Sequence, residues 1–196
     1  MTIVRLAALA SAAILAGGCH GRPKLAPSPR AIPAPTTLQT LRADQVFVLE
    51  NNGTEALDTV ATLLPGRART VVVHQAAPDN TVFATVDVPA GGFSGAPSDT
   101  VHLTLAPRPG VYGIDVGADA AFGPGIVLTF KYAVHFAASA DALKRYGSAE
   151  ALERRLTVAR RNTDGSFALV ASGRPAGDNL SAFLNSAGTY YVVAPR

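Results

Sequence analysis

Three histidines fall on the polar faces of predicted strands, where imidazole side chains could bind a metal ion. They are His74, His102 and His135. A zinc site needs three or four converging ligands, often oriented by a neighbouring carboxylate. None of the three histidines has another histidine or a cysteine near it in the sequence. Solvated side chains on strand faces are therefore favoured, His102 and His135 are kept as weak binding candidates, and no metal or cofactor is predicted.

Two glycine-containing segments resemble functional loops. Gly92-Phe-Ser-Gly-Ala96 nearly matches the Gly-x-Ser-x-Gly turn of serine hydrolases, which requires a strand before the serine and a helix after it. Here Pro97 and a further predicted strand follow, so a loop between strands is favoured. Asp115-Val-Gly-Ala-Asp119 holds two carboxylates, fewer oxygen ligands than a calcium loop supplies, and a polar turn is favoured there.

Four arginines lie close together in the sequence and could contact lipid headgroups or acidic glycans. They are Arg154, Arg155, Arg160 and Arg161. Surface helices and strands commonly carry such charge, so a solvated surface is the favoured interpretation. The four residues are kept as weak binding candidates.

Cys19 is the only cysteine of the chain, and small residues precede it. The segment Leu15-Ala-Gly-Gly-Cys19 resembles the lipobox of bacterial lipoproteins, although its leucine stands one position earlier than usual. Before it, Arg5 and the apolar run Leu6–Ala16 have the form of a secretory signal, and the run is too short to cross a bilayer. We therefore predict a signal peptide at 1–18 that is cleaved before Cys19.

The lipobox resemblance implies that Cys19 is the lipidation site and carries acyl chains such as palmitate. A lone exposed thiol is a liability in an oxidising compartment, and lipidation would remove it. More than one acyl chain gives stable membrane anchoring. His20 follows the cysteine in place of the aspartate that retains some lipoproteins in the inner membrane, so the resemblance favours the outer membrane.

Composition divides the rest of the chain into a tether and a domain. Residues 19–43 contain five prolines and few large apolar residues, which predicts an extended, proline-rich tether. Residues 44–196 are long enough for one domain with a substantial core. The formal charge of +3 becomes +2 without Arg5, and the arginines are scattered, which excludes the basic stripe of a nucleic-acid-binding protein.

Alternation of apolar and polar residues predicts strands through most of this domain. The predicted strands are Val46–Glu50, Arg69–Gln75, Thr81–Val88, Thr100–Leu105 and Ile126–Phe136. The last of these places His135 on its polar face. In the strand at 100–105, the inward residues are Val101, Leu103 and Leu105.

The C-terminal third is predicted to form hairpins. Leu156–Arg160 and Phe167–Val170 flank Asn162-Thr-Asp-Gly165, and Asp-Gly is a strong hairpin signal. Leu180–Leu184 and Thr189–Val193 flank a second predicted turn.

Two segments have helical spacing. Ala140–Arg155 is predicted to be helical, with Ser148 capping a second turn, and Thr54–Leu64 is predicted to be a short helix. The predicted fold is therefore an all-β, immunoglobulin-like antiparallel sandwich with one or two short helical insertions.

The segment Val86-Asp-Val-Pro-Ala-Gly-Gly-Phe93 resembles the β-sandwich domain shared by zonula-occludens proteins, netrin receptors and ankyrins. The resemblance extends over about residues 81–194, including strands like 101–105 and 127–132 and a closing strand like 188–192. It implies protein–protein contact and scaffolding. Some members of that family cleave themselves at a His-Phe-Ser turn. Here His135-Phe136 is followed by Ala137, so self-cleavage is not carried over.

We therefore expect a membrane-anchored envelope lipoprotein whose non-catalytic β-sandwich binds another protein or an envelope polymer. Two alternatives remain open at this point. One is a hydrolase acting on envelope material through a site that the sequence does not reveal. The other is a structural spacer at the cell surface.

Overall fold

The computed structural model describes residues 37–196, and strands dominate this part of the chain. In chain order the strands are β1 (Thr37–Leu41), β2 (Val46–Val48), β3 (Glu50–Asn51), β4 (Thr59–Leu63), β5 (Arg69–His74), β6 (Val82–Val88), β7 (Val101–Pro107), β8 (Gly113–Ala118), β9 (Ile126–Lys131), β10 (Phe136–Ala137), β11 (Thr157–Arg161), β12 (Phe167–Val170), β13 (Ser172–Gly173), β14 (Asn179–Leu184) and β15 (Gly188–Pro195). Two short helices, α1 (Ala140–Tyr146) and α2 (Ala149–Glu153), and a 3-10 turn at Ala43–Gln45 complete the set.

The strands form two sheets that share one core. The first sheet has the order β1-β12-β11-β15-β8-β7-β4, and β2 also pairs with β15. The second has the order β13-β14-β9-β6-β5, and β3 pairs separately with β10. Neighbouring strands are antiparallel throughout. The predicted all-β sandwich with short helical insertions is therefore confirmed.

Alternation along the strands builds the core between the sheets. Val101, Leu103 and Leu105 of β7 are all buried, as their spacing predicts. Each such side chain contributes about 1.5–3 kcal/mol through the apolar surface that it removes from water. The predicted hairpin at residues 156–170 is also confirmed, because β11 pairs with β12 and Gly165 adopts a φ of +82° in the turn.

The predicted helix at Thr54–Leu64 is wrong, because this segment ends in β4. Its apolar residues fit a helical period, but burial follows a period of two, with Ala61 and Leu63 in the core. Leu57 and Val60 are 51% and 70% exposed. Pairing with β7 and burial of alternate residues outweigh the local spacing.

The second predicted C-terminal hairpin is also wrong. β14 pairs with β9 and β13 in the second sheet, whereas β15 pairs with β11, β8 and β2 in the first. The 185–187 segment therefore crosses from one sheet to the other. Each strand is therefore paired by segments that are distant in the sequence.

The strand predicted over Ile126–Phe136 is interrupted. β9 ends at Lys131, and β10 begins only at Phe136, where it pairs with β3. Val134, which alternation over 126–136 would place on the apolar face, is 69% exposed. Tyr132 stays buried, and the intervening turn redirects His135 away from the strand face.

The helical prediction at Ala140–Arg155 is confirmed as two helices. Ser139 caps α1 by accepting a hydrogen bond from the N–H of Ala142, and Ser148 caps α2 by accepting one from Ala151. Gly147 ends α1 in a left-handed conformation with a φ of +82°.

The folded part of the chain begins earlier than the proline content suggests. β1 lies inside the segment 19–43 that we assigned to the tether, and it pairs with β12 along the edge of the first sheet. Leu41 and Val46 join a second apolar cluster on this sheet with Phe167, Tyr191 and Val193. Burial of Leu41 therefore stabilises a strand next to a segment whose proline content predicts no regular structure. β1 precedes the predicted first strand at Val46–Glu50.

The strand register defines two ends of the sandwich. One end carries the 76–81 loop, the 107–110 turn and the start of β1, and we call it the cleft end. The opposite end carries the 185–187 crossing and the turn between β11 and β12, and we call it the turn end.

Candidate binding site

A cleft opens at the cleft end where one stretch of chain moves from one sheet to the other. Residues 55–57 pair with the end of β5, since Leu57 N–H donates to His74 O and Ala76 N–H donates to Glu55 O. Two residues later the same chain enters β4 and pairs with β7 in the first sheet. The change of partner separates residues 55–58 from the end of β7 and leaves a gap between them.

The cleft has a volume of about 360 Å³ and mixes apolar and charged walls. One wall is formed by Glu55, Ala56, Leu57 and Asp58, and the other by Pro107, Arg108, Pro109 and Gly110. Asn51, Ala76 and Phe83 complete the lining. Phe83 is 1% exposed and stacks on Tyr112 with ring centroids 5.3 Å apart, so this part of the lining belongs to the core.

Asn51 is the most constrained polar group of the cleft, being only 8% exposed. Its Oδ1 accepts a hydrogen bond from Gly53 N–H at 3.0 Å and another from Gln75 Nε2 at 3.1 Å. The backbone donor of Gly53 fixes which amide atom is the oxygen. Among residues 37–196, Asn51 Nδ2 has no hydrogen-bond acceptor.

A chain of hydrogen bonds links Asn51 to His135. Gln75, 1% exposed, accepts at Oε1 from the Thr81 hydroxyl at 2.5 Å. Thr81 Oγ1 lies 3.3 Å from His135 Nε2, and Asp79 Oδ2 lies 2.5 Å from the same nitrogen. Because the Thr81 hydroxyl donates to Gln75, it must accept from His135, and Nε2 therefore carries the hydrogen. The network holds the 76–81 loop against the turn that precedes β10.

This network differs from the relay of a serine hydrolase. In a triad, the carboxylate and the nucleophile occupy different ring nitrogens of the histidine. Here Asp79 and Thr81 share Nε2 of His135. The arrangement fixes the orientation of the imidazole and does not activate the threonine hydroxyl.

Gly53 is required for this close packing. A Cβ atom at Gly53 would lie 2.5 Å from Gln75 Nε2 and 2.6 Å from His135 Cγ. Both contacts are shorter than van der Waals packing permits, so only glycine lets the Asn51 segment approach the network.

A second network lies near the cleft end, where the buried Tyr132 meets the half-buried Glu153 and the exposed Arg174. The hydroxyl of Tyr132 donates to Glu153 Oε1 at 2.7 Å, and Arg174 donates to the same hydroxyl and to the backbone oxygen of Glu153. Burial raises the pKa of Tyr132 from its ordinary value of 10.0 to about 12, and Glu153 adds to that shift. Burial likewise raises the pKa of Tyr112 and of Tyr190.

These tyrosine shifts predict a loss of stability in alkali. The unfolded chain releases its tyrosine protons near pH 10, whereas the folded chain retains them to higher pH. Stability is therefore fully present below about pH 10 and declines as the pH rises through about 12. Denaturant unfolding measured between pH 8 and pH 12 checks this expectation. The Tyr132→Phe variant should show a shallower decline, and an equal slope in both proteins would contradict it.

The four candidate arginines do not form one cluster. Arg154 and Arg155 follow α2 at the cleft end and are exposed. Arg160 and Arg161 lie at the other end of β11, where Arg161 pairs with Thr189 near the turn end. They also point to opposite faces of the sheet, and Arg160 Nη2 donates to Ala187 O at 3.0 Å.

The two candidate histidines lie at opposite ends of the sandwich. His102 is exposed near the turn end, where its Nδ1 lies 2.8 Å from Asp119 Oδ2. Hydrogen bonds from the side chain and backbone of His102 lower the pKa of Asp119. His135 belongs to the half-buried network at the cleft end, while His74 is exposed with Nδ1 3.1 Å from Asn80 O.

The two glycine-containing segments have structural partners. Ser94 Oγ accepts from Ala121 N–H at 3.1 Å in a loop between β6 and β7, with no helix after it. Asp115 pairs with Arg108 at 2.7 Å and accepts from Thr189 at 2.6 Å. Among residues 37–196, no group of three or more His, Cys, Asp or Glu side chains is placed to hold a metal ion.

The cleft residues were not candidates in the sequence. Asn51 and Gln75 are 24 positions apart and meet only because residues 55–57 pair with β5. The sequence Asn51-Asn-Gly53 does indicate a turn, because polar residues and a glycine follow a short apolar run. Cys19 and the predicted signal peptide lie outside the described residues.

No protein-family model, curated protein or solved structure matches this chain. The resemblances to the lipobox and to the sandwich of zonula-occludens proteins, netrin receptors and ankyrins therefore stay predictions. Within the part of the chain that the structure describes, no helix combines the length and the apolar character needed to cross a bilayer.

Proposed function

We propose that this chain is a membrane-anchored envelope lipoprotein whose β-sandwich is a non-catalytic module for binding a protein or an envelope polymer. Support for the anchor comes from Leu15-Ala-Gly-Gly-Cys19 and the signal-like run before it. The absence of aspartate after Cys19 favours the outer membrane.

The observation that carries the binding proposal is the open cleft between residues 55–58 and 107–110. It combines an apolar floor and a buried amide with carboxylates that form no salt bridge among residues 37–196, which is the mixture found in recognition sites. The histidine network beside the cleft favours a binding role over a catalytic one. His135 Nε2 is held by Asp79 and Thr81 in an arrangement that does not activate a nucleophile.

The position of β1 relates the cleft to the anchor. β1 starts at Thr37, 18 residues after Cys19, and its first residue lies at the cleft end. An extended proline-rich tether of that length would reach about 55 Å at about 3.1 Å per residue. Such a reach would let the module meet a partner away from the bilayer.

A site-specific crosslinking experiment in intact cells tests this function. A photoreactive residue replaces Asp58 in the cleft, and a matched control places the same residue at exposed Asn185 of the turn end. We expect one envelope protein or polymer to be captured from Asp58 and not from Asn185.

The same experiment with Cys19→Ala separates anchoring from binding. This variant should leave the membrane fraction and lose most of the capture. Membrane association that survives Cys19→Ala would contradict lipid anchoring, and equal capture from both positions would contradict a binding site at the cleft.

A further inference from the structure

The cleft presents an unused strand edge. Ala56 lies opposite Gln75 in an antiparallel bridge. The two hydrogen bonds of this bridge are formed by the neighbouring residues, from Leu57 N–H to His74 O and from Ala76 N–H to Glu55 O. In that type of pair, the N–H and C=O of Ala56 point away from β5. The backbone of residues 55–57 therefore has one side paired and the other side free to pair with an added strand.

The charges of the cleft are unbalanced. Glu55 and Asp58 are exposed on one wall, and neither forms a salt bridge within residues 37–196. Arg108 on the opposite wall is paired with Asp115 at 2.7 Å. The unpaired charge of the cleft is therefore negative and favours a positively charged side chain.

Asn51 Nδ2 supplies an independent indication of a ligand. It belongs to a side chain more than nine-tenths buried, it lines the cleft, and it has no acceptor among the described residues. Both of its partners hold Oδ1, so the amide cannot flip without losing the bond from Gly53 N–H. A donor atom held in place in this way and open to the cleft matches a carbonyl oxygen of an incoming backbone.

From these three features we infer that the cleft binds an extended segment of a partner protein, which adds a strand beside residues 55–57. The segment carries a lysine or arginine directed at Glu55 and Asp58, and the apolar residues next to it in the segment lie on the opposite face of the added strand. One backbone carbonyl of the segment accepts from Asn51 Nδ2. This inference rests on the proposed binding function and names the class of partner.

Defined peptides test the inference on the mature chain, residues 19–196 with Cys19→Ala. The probe is the blocked peptide Thr-Val-Lys-Val-Thr-Val, and its matched control has glutamate in place of lysine. We expect the lysine peptide to shift the backbone amide resonances of Ala56 and Leu57 and to bind at least tenfold more tightly than the glutamate peptide. Equal binding of the two peptides, shifts confined to other residues, or no shifts would overturn the inference.

Three variants separate the charge from the buried amide. Asp58→Asn should weaken the lysine peptide roughly threefold to fivefold, as expected for an exposed ion pair. Asp178→Asn, at an exposed carboxylate outside the cleft lining, should leave binding unchanged. Asn51→Asp keeps the acceptor for Gly53 and Gln75 but removes the donor, so binding should fall although the cleft becomes more negative.

The outcome separates this inference from the proposed function. Capture of a polymer at Asp58, together with no peptide binding, would preserve the binding module and overturn the peptide partner. Capture of nothing at Asp58, together with specific binding of the lysine peptide, would preserve the peptide site and count against its use in the envelope.

Discussion

Replacing Phe83 with alanine is expected to lower the free energy of unfolding by about 3–5 kcal/mol. Phe83 is almost fully buried, stacks on Tyr112 and meets Phe130 edge-to-face at 6.0 Å. Alanine removes this aromatic contact and leaves a cavity beneath the cleft. Because domains are stable by about 5–15 kcal/mol, the loss would be a large fraction of the total.

Denaturant unfolding of Phe83→Ala beside Phe83→Leu measures this effect. Leucine keeps most of the apolar volume and should cost clearly less than alanine. A loss below about 1 kcal/mol for Phe83→Ala would show that the cleft floor is not part of the core. Such a result would also weaken the view that the cleft is a fixed feature of the fold.

The fold was predictable from local patterns where those patterns coincide with the final pairing. Val101, Leu103 and Leu105 alternate, and the same alternation buries them between the sheets. Asp164-Gly165 marks a tight turn, and its two flanking strands do pair. In both cases, a few neighbouring residues contain the information that decides the structure.

Sequence reasoning failed where pairing over long distances decides the structure. The segments at 180–184 and 189–193 look like a hairpin, yet their best partners lie in opposite sheets. Thr54–Leu64 has a helical spacing of apolar residues, but pairing with β5 and then β7 makes it extended. The cleft arises from this change of partner, which the apolar spacing within Thr54–Leu64 does not indicate.

The candidate site was less predictable than the fold. Of the weak candidates, only His135 lies in the network that borders the cleft, and its role there is to hold Asp79 and Thr81. Closeness in the sequence was misleading for Arg155 and Arg160. Arg155 precedes β11 at the cleft end, whereas Arg160 lies near the other end of that strand. Polar residues acquire their roles through burial and partners, which composition does not show.

The hydrogen-bond network gives the second prediction, that Gln75→Leu lowers the free energy of unfolding by about 1–3 kcal/mol. Leucine nearly preserves the volume of Gln75 but leaves the Thr81 hydroxyl without its acceptor and Asn51 Oδ1 without one of its two donors. The bond to Asn51 is buried and the bond to Thr81 is half-buried, and unsatisfied polar groups are costly in such settings. Chemical denaturation measures the change.

Thr70→Val provides the matched control for Gln75→Leu. It removes a side-chain hydrogen bond of 2.5 Å to Asp87, but on an exposed surface, and should change stability by less than about 0.5 kcal/mol. Gln75→Leu should also weaken the lysine peptide, because Asn51 is then held only by Gly53 N–H and its Nδ2 is no longer fixed toward the cleft. Unchanged stability with unchanged peptide binding would mean that the network neither supports the fold nor orients Asn51. A loss of stability with full peptide binding would assign the network to the fold alone. Peptide binding that depends on the orientation of the Asn51 amide should weaken when the hydrogen bond from Gln75 is removed.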